Sequence, residues 1–172
     1  MVPSPCESPM PRTAPRPLFW AAALLLLALD QGTKAWALSR FVVQDREIIP
    51  GWLNLTLAWN TGVAFSLLKG HNGWLLLLVL VLIGAGCVLA RKVDWRPAGT
   101  NVLFALFAAG ALGNLIDRIA RGAVVDFIDV HAGAHHWPTF NVADSCITVG
   151  AVVLVWQALR PQRPPCRSRK KV

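Results

Sequence analysis

PAGTNVLFALFAAGALGNLIDR, residues 97–118, runs for 20 residues from Pro97 to Ile116 without a charge and then closes on Asp117 and Arg118. At about 1.5 Å rise per residue, an α-helix of that length covers the roughly 30 Å hydrocarbon thickness of a bilayer. Three further apolar blocks share this character. The first starts at Pro17, runs through LFWAAALLLLAL to Leu29 and continues past Asp30 and Lys34 to about Leu38. Another, Gly73 to Ala90, carries no charge, and the last extends from about Val142 to Leu159. Hydrophobic residues make up 55% of the chain and charged residues 15%, against roughly 45–50% and 25% in an average soluble domain. With a mean hydropathy of +0.48, this excludes disorder as the general state and exceeds what a soluble core of this length absorbs.

The expected fold is an all-α integral membrane protein with four transmembrane helices. Arg12 and Arg16 before the first block also suit a secretory signal, but no convincing small-residue cleavage site follows, so the block is read as retained. Lys and Arg set the orientation. The N-tail holds Arg12 and Arg16, the link between the second and third blocks Arg91, Lys92 and Arg96, and the C-tail six basic residues from Arg160 onward. The longer stretches 39–72 and 117–141 hold five between them, so both termini are expected to be cytoplasmic. The expected organisation is a cytoplasmic tail over residues 1–16, a membrane domain over 17–159 with outer links 39–72 and 120–141, and a basic cytoplasmic tail over 160–172. The net charge of +8 is read as a membrane signature, with no nucleic-acid partner. Cys6, Cys87, Cys146 and Cys166 form no CxxC pair or disulfide pattern.

The first outer link alternates β-branched and polar residues around Pro50-Gly51 and Asn60-Thr61-Gly62, which predicts a small extracytoplasmic antiparallel sheet. Asn54-Leu55-Thr56 matches a glycosylation sequon by chance composition. Trp52 and Trp59 suit interfacial anchoring, and Gly110 and Gly113 would let a substrate helix approach the third span closely.

A charge inside a span costs about 2.5–3.5 kcal/mol at the helix centre, so each polar residue there calls for a reason. Asp30 and Lys34 are four apart on one helical face. Asn114 with Asp117, and Asn141 with Asp144, repeat an Asn-x-x-Asp spacing that places amide and carboxylate together. Asp126 lies between them in Ala123-Val124-Val125-Asp126-Phe127-Ile128, a run too apolar for a solvated loop. In an up-and-down bundle, Asp117, Asp126 and Asp144 all reach one membrane depth. Two carboxylates in a poorly solvated site hold one proton between them, one member acting as base and the other as acid, which suits peptide hydrolysis without a metal or covalent intermediate. Asp144, near a helix N-terminus, is the better candidate for the ionised member. The residues alone leave three candidate acids. His131 and His135 are spaced i, i+4 and His136 adjoins them, but Gly133 interrupts a helix there and HExxH is absent, so a polar interfacial loop is expected and no metal.

Five ordered motifs now stand out: Asp30-Gln31-Gly32-Thr33-Lys34; Asn60-Thr61-Gly62-Val63-Ala64-Phe65; Gly113-Asn114-Leu115-Ile116-Asp117-Arg118; Gly122-Ala123-Val124-Val125-Asp126-Phe127; and Phe140-Asn141-Val142-Ala143-Asp144. Together they closely resemble the lipoprotein signal peptidases, the signal peptidase II family of bacteria. The resemblance implies a multi-pass inner-membrane aspartic endopeptidase, active at the periplasmic face, that removes the signal peptide of diacylglyceryl-modified prolipoproteins before the lipidated cysteine. It implies a catalytic pair at Asp126 and Asp144. Asp30, Lys34, Asn60, Gly62, Ala64, Phe65, Asn114, Asp117, Arg118 and Asn141 fall at substrate-binding or site-supporting positions. A surface helix beside the sheet, no cofactor, a monomeric state, and contacts with lipid-modified prolipoproteins and membrane phospholipids are also expected. Two rival readings are a small proton-coupled transporter using the same acids as a relay and a non-enzymatic membrane scaffold.

Overall fold

A computed structural model describes residues 14–41, 45–62 and 72–159. Its elements follow the chain as α1 (Pro17–Arg40), β1 (Arg46–Ile49), β2 (Leu53–Asn60), α2 (Asn72–Ala90), α3 (Ala98–Arg121), β3 (Val124–Ala132), β4 (His135–His136) and α4 (Val142–Leu159). Three helices, α1, α3 and α4, are long and apolar enough to cross a membrane, and α2 contributes a shorter apolar stretch, Leu76–Ala90. Large apolar side chains face outward along them, among them Leu24 and Leu25 on α1, Val81 and Leu82 on α2, and Val152 and Val155 on α4. An apolar surface this continuous belongs against lipid.

α3 is the central helix, packed against α1, α4 and α2. It approaches α4 closely because it carries glycine where the helices meet. A Cβ on Gly110 would lie 2.6 Å from the Ala143 carbonyl oxygen and from Ile147 Cγ1, and one on Gly113 would collide with the Asp30 carboxylate. The sequence suggested that these glycines would admit a substrate helix; instead the molecule's own α4 and α1 fill that space. α3 ends at Gly122, whose φ of 75° turns the chain directly into β3.

The sheet is antiparallel in the order β1-β2-β3-β4 and draws on both outer links, not on the first alone. β3 pairs with β2 in a register that sets Ala58 opposite Asp126 and Asn60 opposite Val124. Ala37 and Phe41 of the α1 end pack with Phe127 of β3, and Leu55, Leu57, Ile128 and Val142 surround them. This cluster seats the sheet on the ends of the helices. Asp126, read as lying in a run too apolar for a solvated loop, is thus on a strand with 1% exposure. His131 and His136 face each other across the β3–β4 hairpin, ring on ring at 4.7 Å, so the expected polar loop is strand. The surface helix has no counterpart in residues 45–62, and residues 63–71 lie outside the described set.

The opposite end has its own polar knot. Asn101, fully buried, donates to the carbonyls of Trp95 at 2.6 Å and Pro97 at 2.9 Å and accepts from the Arg16 backbone N–H at 3.0 Å. The Trp95 ring, buried against Phe19 and Phe104, donates to the Ala90 carbonyl at 3.0 Å.

Candidate active site

α1 brings Asp30 and Lys34 inward one helical turn apart, and α3 meets them with Asn114 and Asp117. Lys34 is completely buried; its Nζ lies 2.9 Å from Asp30 Oδ2, 2.9 Å from Asp117 Oδ2 and 3.1 Å from Asn114 Oδ1. Removing a lysine ammonium from water costs several kcal/mol, and two carboxylates with a carbonyl oxygen offset that cost here. Asp117 also pairs with Arg121 and accepts the Val125 N–H at 3.1 Å. Asp30 reaches across the bundle to accept the Ala143 N–H in the first turn of α4 at 2.8 Å.

The helix begins there with a reciprocal cap. Asn141 does not share a helical face with Asp144, as its spacing suggested, but stands one residue before α4. Its Oδ1 accepts the Asp144 N–H at 2.9 Å, and Asp144 Oδ2 accepts the Asn141 N–H at 3.4 Å. The Asn141 amide nitrogen then donates to Asp126 Oδ1 at 2.7 Å, joining β3 to α4. Asn60, at the end of β2, donates to Asp126 Oδ2 at 2.9 Å, and Asn114 donates to Asp144 Oδ1 at 2.8 Å.

Of the three candidate acids, Asp117 is thus engaged by two cations and a backbone N–H, whereas Asp126 and Asp144 accept hydrogen bonds from neutral amides. Burial pushes the Asp126 carboxyl up from 3.8 to about 7, and the nearby Asp144 charge pushes the same way; the amides of Asn60 and Asn141 and the charge of Lys34 oppose them. A carboxyl at that value keeps a proton near neutrality and can release it, as a general acid must.

Arg118 donates from Nη2 to the Gly62 carbonyl at 2.7 Å, and the Gly62 N–H donates to Asn60 Oδ1 at 2.9 Å. α3 thereby fixes the chain where it leaves β2. Of the expected site residues, Asp30, Lys34, Asn60, Gly62, Asn114, Asp117, Arg118, Asp126, Asn141 and Asp144 converge; Ala64 and Phe65 lie outside the described residues.

A profile of the Signal peptidase (SPase) II family matches residues 22–160. The chain belongs to the signal peptidase II family. Among its relatives, the lipoprotein signal peptidase of Cupriavidus taiwanensis is 40% identical over 154 residues, covering 86% of each chain. That of Burkholderia mallei is 42% identical over 145 residues, covering 82% of this chain and 87% of the relative. A bacterial membrane enzyme solved by the in meso method at 1.9 Å superposes with a TM-score of 0.74 at 32% identity, over 84% of this chain and 94% of its own. The chain is therefore a multi-pass membrane peptidase, and family membership decides against the relay and scaffold readings.

Sequence reasoning missed several partners that hold this cluster together. Arg121, Gln31 and the Val125 N–H all reach Asp117, and only the i, i+4 spacing of Asp117 and Arg121 signalled any of them. It also missed a lateral cluster in which Asp129 accepts from Asn54 at 3.2 Å and lies 2.9 Å from His136 Nδ1. Among the described residues, no group of three or more His, Cys, Asp or Glu is arranged to hold a metal.

Proposed function

We propose that this protein removes the signal peptide from diacylglyceryl-modified prolipoproteins as an aspartic endopeptidase, cutting before the lipidated cysteine, with Asp126 and Asp144 as its catalytic pair. One observation carries the reading: Asn141 caps α4 through its carbonyl oxygen and holds Asp126 through its amide nitrogen, bringing two carboxylates from separate elements to one site. Asp144, ionised, takes a proton from water as the water oxygen attacks the scissile carbonyl. Asp126, protonated near neutrality, gives its proton to the departing amine nitrogen. The pair exchanges protonation states over the cycle, and its titration belongs to both members. Asp30, Lys34, Asn114, Asp117 and Asn141 support the pair. Arg118, Asn60 and Gly62 shape the edge where the substrate enters, and the motif shared with the family assigns Ala64 and Phe65 to substrate binding.

In this reading α2 is the fourth span, residues 17–159 form the membrane domain, and the tails 1–16 and 160–172 are cytoplasmic, as the Lys and Arg distribution favours. The protein sits in the bacterial inner membrane as a monomer among phospholipids, with its sheet at the periplasmic face. A substrate whose acyl chains lie in the bilayer presents its scissile bond at that face, which suits acids at the sheet ends of the helices.

The test is cleavage of a diacylglyceryl-modified prolipoprotein by purified wild type, Asp126→Asn and Asp144→Asn, with the unlipidated precursor as control. Cutting of only the lipidated substrate, and only by wild type, is expected. Full activity in either variant would remove that residue from the pair, and equal cutting of both precursors would remove the lipid requirement.

A further inference from the structure

Three asparagines present their amide nitrogens to the two carboxylates, and each has its carbonyl oxygen held from behind. The Asn60 oxygen accepts the Gly62 N–H at 2.9 Å, and the Asn141 oxygen accepts the Asp144 N–H at 2.9 Å. Both pins are backbone and leave no choice of rotamer. The Asn114 oxygen instead accepts from Lys34 Nζ at 3.1 Å and from Asn141 Nδ2 at 3.2 Å. An ammonium has donors only, so it tolerates an oxygen in front of it and rejects an NH2.

From this we infer that Lys34 is a positioning residue that fixes the polarity of the Asn114 amide, so that Asn114 always offers a donor to Asp144 Oδ1. With Lys34 absent, the Asn114 oxygen keeps only the 3.2 Å contact from Asn141 Nδ2, whose two hydrogens also serve Asp126 Oδ1 at 2.7 Å and the Val125 carbonyl at 3.2 Å, so the Asn114 side chain can turn over and present its oxygen to a carboxylate, which removes a donor from the base. Asp30 on the same helix and Asp117 on α3 face Lys34 directly, and Asp144 on α4 faces it through Asn114. Their role is to keep a charged lysine at full burial, and Asp30 holds the first turn of α4 in place at the same time. The inference deepens the catalytic reading above and rests on Asp144 being one of its acids.

Replacing Lys34 alone would strand two buried carboxylates, so the deciding variant is balanced in charge: Lys34→Met with Asp30→Asn, in the full chain in detergent, assayed with the lipidated prolipoprotein. The expected result is a kcat about 100-fold lower with KM unchanged, the size of loss that misplacement of a catalytic group produces. Adding Asn114→Ala to that variant then costs little more, because both changes remove the same donor. Wild-type kcat in the balanced variant would overturn the inference, leaving Lys34 as a counter-charge only, and so would losses that multiply. Lys34→Arg, which keeps the charge, is the second variant if the first does not fold. Its wider fork does not match a single amide oxygen, so a lowered kcat that Asn114→Ala does not deepen supports the inference, and an unchanged kcat overturns it. Asp144→Asn runs alongside: activity surviving there defeats the catalytic reading itself, whatever the lysine variants do.

Discussion

Asn101 at one end of the bundle and Lys34 at the other are equally buried, yet their partners differ in kind. The amide of Asn101 ends on the carbonyls of Trp95 and Pro97 and the N–H of Arg16, groups that hold no titratable proton. Every direct partner of Lys34 is a side chain: two carboxylates and an amide that leads to a third carboxylate. A polar knot closed on backbone can only hold helices together. One closed on side chains also holds charge, and its protons can move.

The contrast breaks most visibly in activity. Asp126→Asn or Asp144→Asn is expected to lower the cleavage rate by roughly 10³-fold or more, while Asn101→Ala leaves kcat at the wild-type value in the same assay. A large kcat loss from Asn101→Ala would show that the two ends are coupled. The next largest effect is in pH dependence. Because the Asp126 carboxyl is raised from 3.8 to about 7 by folding, the native state binds its proton more tightly than the unfolded chain does. Its contribution is therefore fully present below about pH 4 and lost as pH rises through about 7, with a ceiling of about 4 kcal/mol. Thermal unfolding in detergent should show Asp126→Asn gaining on wild type between pH 5 and pH 8, and the wild-type rate should fall as pH rises above about 7.

Gly110→Ala sharpens the comparison from between the two ends. Its new Cβ meets the Ala143 backbone, and the forced separation of α3 and α4 is expected to cost up to about 3 kcal/mol, read as a lower unfolding temperature. Asn101→Ala removes the side-chain bonds to the Trp95 and Pro97 carbonyls and to the Arg16 N–H and should cost about 2 kcal/mol by the same measurement. The smallest effect belongs to Asp94→Asn: its pairing with Arg96 is solvent-exposed, and no change in unfolding temperature is expected.

What could be read from the sequence follows the same division. Helix positions were legible because lipid imposes long apolar runs; the block read as Val142 to Leu159 is α4 to the residue. The convergence of the candidate site residues was legible because carboxylates and amides within or beside apolar spans are expensive and stand out. The Asn101 knot was not, since a single asparagine in an apolar run does not say which backbone groups it will meet. The place of Asp126 was half legible: its apolar neighbours signalled burial, but strand pairing with β2 joins segments 66 residues apart and leaves no local pattern. Asn114 and Asn141 shared a spacing yet differ in role, one inside a helix and the other before it, a difference set by where α4 starts.

The bond from Asp30 to the Ala143 N–H also has a meaning in time. It joins the first helix to the last across 113 residues of sequence. Until the ribosome has delivered the final helix, that carboxylate lacks its backbone partner and Asp144 does not yet exist opposite Asn114. On the proposed catalytic pair, the nascent chain cannot cut anything before α4 has been made.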